Sequence, residues 1–166
     1  MDIKWNEQTK RVERIDKQTF KPTGATTGDM ELLVDVNKQN PQTLNAESFT
    51  FGYLGPAALV EVYFGQGDDA PMLTLMFIKA LAANTAYLIG NPFIGGDADV
   101  IASFYYDYGG EGPDGGVGEG VLHVTNYIEN AQRVSFSGSF RFHYNQPDGN
   151  VEVFCPSFTV EHTRDE

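Results

Sequence analysis

Between Phe104 and Gly120 the chain reads FYYDYGGEGPDGGVGEG, with the carboxylates Asp107, Glu111, Asp114 and Glu119 on a backbone rich in glycine. Hard oxygen donors held close together on a permissive backbone are the ligand set of a calcium ion. The spacing departs from the EF-hand loop, because from Asp107 the twelfth position is Gly118 and Glu119 lies one beyond. The nonapeptide repeat of calcium β-rolls is also missing. Phosphate suits the stretch no better: no GK[ST] ending closes it, no helix opens after it, and its charge repels an anion. The segment from Asp107 to Gly120 therefore reads as a long flexible connection, with calcium as its one chemical alternative. No other cofactor is called for.

Other carboxylates are sparser. GDDAP (67–71) and GGDADV (95–100) place Asp68, Asp69, Asp97 and Asp99 in loops that would share an acidic rim, as in calcium-dependent sugar binding, if strand order brought them together. Glu61 and Glu152 sit mid-strand in two VEV triplets, and a glycosidase needs two carboxylates roughly 5–10 Å apart. A solvated face explains them more simply. His123, His143 and His162 lack metal-ligand spacing, and the sequence has no G-x-S-x-G, H-E-x-x-H or C-x-x-C. Cys155, the single cysteine, stands between Phe154 and Pro156 as a packed thiol. Tyr105, Tyr106 and Tyr108 lead into the acidic loop and form a candidate partner-binding surface, since tyrosine gives amphipathic contact area at little rotamer entropy. Tyrosine is also an ordinary strand former.

The elements that would position these groups are strands. Segments 30–36, 47–53, 58–64, 72–78, 85–90, 100–107, 120–127, 132–144 and 151–160 make about nine, parted by Gly, Pro, Asn and Asp clusters. In 133–143, Val134, Phe136, Gly138, Phe140 and Phe142 share one face, and Arg133, Ser135, Ser137, Ser139, Arg141 and His143 the other. Gly138 marks a bend or bulge. Near Pro156 the apolar parity slips, which predicts a bulge on an edge strand. The apolar run from Met72 to Gly90 contains Lys79, Asn84 and Thr85 and reads as two strands, or a strand and a short helix, not a membrane span. Only KALAAN (79–84) has helix-like composition.

The chain of 166 residues is long enough for one domain, burying roughly 70% of its unfolded surface. Residues 1–28 read as an N-terminal arm, either a short helix over 6–17 on a thin apolar stripe (Val12, Ile15) or a mobile segment, and 29–166 as a single all-β domain. An antiparallel sandwich, jelly-roll-like, is the expected architecture, with a closed barrel as the alternative.

The net charge is −12, and residues 1–40, with seven basic and seven acidic side chains, contribute none of it. Such an acidic body excludes nucleic acid as a ligand, whose affinity comes largely from cation–phosphate contacts. With no apolar signal core at the N-terminus, a soluble protein is expected, cytoplasmic or exported by a non-classical route.

LTLMFIKALAANTAYLIG, GEGVLHVTNYIENAQRVSFSGSFRFHY and VEVFCPSFTV together resemble uncharacterised bacterial β-sandwich families, often lipoproteins of unknown function. The likeness spans residues 45–160; the chain departs in its acidic glycine loop and in lacking a lipoprotein signal. It implies a sandwich without known catalysis and adds no site residues. The expected function is non-catalytic: protein–protein contact, as an assembly subunit (self-association) or accessory module. An acidic inhibitor or immunity-type protein for a basic partner, and a calcium-dependent carbohydrate binder, are the alternatives.

Overall fold

The computed structural model describes residues 3–6, 11–14, 21–22, 24–36, 41–65, 70–105, 115–146 and 149–164. Among these the chain is all-β. Its strands are β1 (Ile3–Asn6), β2 (Arg11–Arg14), β3 (Lys21–Pro22), β4 (Gly24–Val36), β5 (Gln42–Asn45), β6 (Ser48–Leu54) and β7 (Ala57–Tyr63), then β8 (Met72–Phe77), β9 (Thr85–Ile89), β10 (Val100–Tyr105), β11 (Gly115–Val117), β12 (Glu119–Glu129), β13 (Arg133–Gln146) and β14 (Gly149–Arg164). β1 and β2 form their own two-stranded sheet. The rest make one sheet in the order β3-β6-β7-β8-β10-β9-β12-β13-β14-β4-β5, with β11 beside β10. Its ladders are antiparallel except for one parallel bridge between Val100 and Ile89. Among the described residues no helix is long and apolar enough to cross a membrane.

The sheet curls so that its inner face becomes the core. Period-two patterning drives this: Val134, Phe136, Gly138, Phe140 and Phe142 are buried, while Arg133, Arg141 and His143 are exposed. Phe136 of β13 reaches across the interior to Phe51 of β6 (ring centroids 6.3 Å apart) and Phe77 of β8 (5.9 Å), and touches Phe158 of β14 (6.0 Å). The far side of β7, β8 and β10 is partly apolar too: Ala57, Leu59, Met76 and Ile101 form a second buried cluster there, beside the polar row Glu61, Thr74 and Ser103.

Residues 21–22 pair with β6, whereas 24–36 pair with β14, so successive segments of chain touch both ends of the strand path. The sheet thus takes in residues read as the end of an arm. Across 11–14 the backbone is strand β2, paired with β1, and not the short helix that Val12 and Ile15 suggested. Two apolar residues form too thin a stripe to favour a helix.

Both anticipated irregularities are present. Register shifts fall beside Gly138 and between Phe154 and Phe158, around Pro156. The edge position is overturned, because β14 is paired on both sides, with β13 and β4. The bulge itself lifts the proline out of the ladder, so an interior strand tolerates its missing donor. The 72–90 run splits into β8 and β9 as expected, but KALAAN forms no helix. Tyr87, its ring buried, donates a hydrogen bond to the Ala80 carbonyl (2.8 Å) and accepts one from the Ala82 N–H (2.8 Å), taking backbone groups a helix would have used.

Part of the glycine loop is also strand. β11 pairs with β10 over Gly115–Val117, and the Gly118 N–H donates to the Ala102 carbonyl at 2.8 Å. A Cβ on Gly118 would lie 2.3 Å from the Phe142 ring, so glycine here serves close packing on an aromatic face. Gly118→Ala is therefore expected to destabilise the protein by about 1–3 kcal/mol, read from the urea midpoint. A loss below a few tenths would mean that the contact relaxes freely.

Candidate functional site

The outer face of β12, β13, β14 and β4 carries two rows of side chains fixed by register. Glu119 pairs with His143, His143 with Glu152, and Glu152 with Asp35. Two residues along each strand, Val121 pairs with Arg141, Arg141 with Phe154, and Phe154 with Leu33. Leu88 of β9, paired with Val121, prolongs this second row. Strands lie roughly 4.8 Å apart and same-face neighbours roughly 7 Å apart, so the polar row spans about 14 Å beside a largely apolar one.

Both rows, apart from Leu88 at the end of the second, line a concavity of about 480 Å³ together with Pro41. Val121 is 40% exposed and Leu88 50%, which is uncommon for large apolar side chains aligned side by side. The Arg141 guanidinium lies 4.8 Å from the Phe154 ring centroid, so its charge rests on an aromatic face. Among the described residues none of Glu119, Glu152 and Asp35 has an ion-pair partner, and Asp35 Oδ1 is enclosed without a hydrogen-bond donor. Among the described residues the groove lining holds three carboxylates against one permanent cation, Arg141.

The sequence candidates fare unequally. Asp107, Glu111, Asp114, Tyr106, Tyr108, Asp68 and Asp69 lie outside the described residues. Glu119 opens β12 and faces His143. Tyr105 is half-buried at the end of β10, paired with Met72 and Gly115. Asp99 accepts a hydrogen bond from the Leu88 N–H (2.9 Å) through Oδ2, a structural tie between β9 and the start of β10. Asp97 is exposed. Glu61 accepts a hydrogen bond from the Tyr63 hydroxyl on β7, and β7 pairs with neither neighbour of β14, so no ladder brings it to Glu152. His162 is buried, with Nδ1 2.8 Å from Thr26 Oγ1 and its ring against Phe51. Among the described residues no three His, Cys, Asp or Glu side chains are grouped to hold a metal ion.

Sequence reasoning missed the alignment itself. Glu119, His143 and Glu152 sit on strands joined by short turns, and outward parity with hairpin pairing would have aligned them. Asp35 and Leu33 arrive through the β4–β14 ladder, which no local signal announces. Comparison of the chain with protein-family models, curated proteins and solved structures returned no match.

Elsewhere several groups have perturbed proton affinities. Glu129 accepts hydrogen bonds from the Tyr127 hydroxyl and from Arg164 Nη2 (2.6 Å), which hold its carboxyl below the ordinary value of 4.5, while burial and Glu129 push the Tyr127 hydroxyl up. Arg164 Nη1 also donates to the Asn130 carbonyl at 2.7 Å, tying the end of β14 to the β12–β13 turn. A carboxyl lowered by folding adds stability above its unfolded pKa and loses it as pH falls through the folded one. Glu129→Gln should therefore cost less than about 1 kcal/mol at pH 7, the pair being exposed, and the gap should close as wild type is titrated below 4.5. Urea unfolding at pH 7 and in acid measures this, and a gap independent of pH would refute it. Burial pushes the Cys155 thiol up to about 12. Its alkylation at pH 8 should be slower in the folded protein than in urea by roughly a hundredfold or more, followed by mass spectrometry.

Proposed function

We propose that this chain is a non-catalytic protein that acts by contact with another protein, through the two-row outer face of β12, β13, β14 and β4. The observation that carries the reading is the alignment of Leu88, Val121, Phe154 and Leu33 on a face where period-two patterning otherwise leaves polar groups. Apolar side chains aligned beside polar ones are the make-up of a contact patch with a wet rim. A nucleic acid partner is disfavoured by the acidity of residues 41–166, which hold four basic and sixteen acidic side chains. The carboxylates suggested for hydrolysis, Glu61 and Glu152, stand on strands that are not neighbours, which supports a role without catalysis.

The same reading takes the curled sheet as a jelly-roll-like sandwich. Its support is the aromatic contact of Phe136 with both Phe51 and Phe77, rings from strands far apart in the sheet order. A closed barrel is the second reading, and one observation favours it: the segments 21–22 and 24–36 reach both ends of the strand path.

The test is a photo-crosslinking amino acid placed at Val121, and separately at Glu161, an exposed outward position further along β14. In the native cell a discrete protein adduct is expected from position 121 and none from 161. Equal adducts at both positions, or none at either, would remove the groove as a contact surface.

A further inference from the structure

We infer that the occupant of this groove is a basic, partly apolar segment of a separate partner protein, with Lys or Arg side chains along Glu119, Glu152 and Asp35 and apolar neighbours on Val121, Phe154 and Leu33. The inference rests on the contact reading above and adds the chemistry of the partner.

Charge complementarity is the argument. Three carboxylates stand in one row at strand spacing, with only His143 between Glu119 and Glu152. Like charges aligned across a sheet repel. The cation nearest by register, Arg141, lies against the Phe154 ring and forms no ion pair among the described residues. Asp35 is half-buried, and its Oδ1 is enclosed with no hydrogen-bond donor among the described residues. A carboxylate so poorly compensated gains most from a cation arriving at its exposed side, because a charge-assisted hydrogen bond is stronger than a neutral one. An acidic or purely apolar segment would leave these oxygens stripped of water and unpaired.

The second row sets the other requirement. Val121, Phe154 and Leu33 give a cationic segment somewhere to bury methylene stems and an adjacent apolar side chain. Arg141, stacked on Phe154, discourages a cation from settling on that row, so the segment is oriented with its charges toward Glu152. The excess of acid over residues 41–166 would also speed encounter with a basic partner, an effect that salt weakens.

The probes are three capped hexapeptides of alternating residues: arginine–leucine, arginine–serine and glutamate–leucine. Binding to the full chain is followed by fluorescence anisotropy at low and physiological salt. Arginine–leucine is expected to bind more tightly than arginine–serine by about fivefold or more, and glutamate–leucine not at all. Glu152→Gln should weaken binding of the arginine–leucine peptide by about threefold or more, while Glu161→Gln leaves it unchanged. Val121→Ser should abolish the advantage of leucine over serine. Circular dichroism confirms that each variant is folded; Asp35→Asn replaces any that is not. Equal losses for the Glu152 and Glu161 variants, or equal affinity for the leucine and serine peptides, would overturn the inference. A crosslink at position 121 without peptide preference defeats the partner chemistry alone, and absence of that crosslink defeats the contact surface. An adduct that proves to be a second copy of this chain overturns the separate partner.

Discussion

The contact on which the rest of the structure depends is the seating of Phe136 against Phe51, Phe77 and Phe158. It joins β13 to strands far from it in the sheet order, and aromatic pairs of this kind contribute about 0.5–1.5 kcal/mol each beyond their buried area. Its larger effect is on parity. A strand presents alternate residues to alternate faces, so fixing Phe136 inward also fixes Phe140 and Phe142 inward along the unbroken alternation of β13, and turns Arg141 and His143 outward. The groove is the reverse side of the core, and a slip of one residue in β13 would erase both together.

The strand pattern was legible because burial on one face leaves a period of two in the letters. The alternation in 133–143, the bulge at Gly138 and the division of 72–90 into two strands all follow from that signal. What escaped it were segments whose structure is decided at a distance. β5 and β11 are short and mostly polar or glycine, and exist because β4 and β10 offer them a ladder. KALAAN has a helix former's composition, but its polar backbone is captured by the Tyr87 hydroxyl. Pro156 suggested an edge by the rule that a proline cannot donate, whereas the local bulge satisfied that rule inside the sheet.

The site was legible only in pieces. Glu119 drew attention as a loop carboxylate, Glu152 as half of a hydrolytic pair and His143 as an ordinary surface histidine. Their proximity depends on register, a property of two strands at once that neither strand spells out alone. Arg141 and Phe154 were each visible as a strand residue, yet the contact of the guanidinium with the ring arises only when β13 and β14 align. The apolar half was hardest to see, since an outward Val or Leu attracts notice only once its neighbours across four strands prove to be apolar as well.

The ladder between β4 and β14 joins residues 24–36 to residues 151–164, the widest separation along the chain of any pairing described. Contacts between such remote segments carry a heavy loop-closure penalty and place a fold among the slower ones. During synthesis β4 emerges early and waits with one flank unsatisfied until β14 has left the ribosome. In that interval Met30, Leu32 and Val34 lack the neighbour that closes over them in the finished fold, and transiently exposed apolar strands of this kind are aggregation-prone.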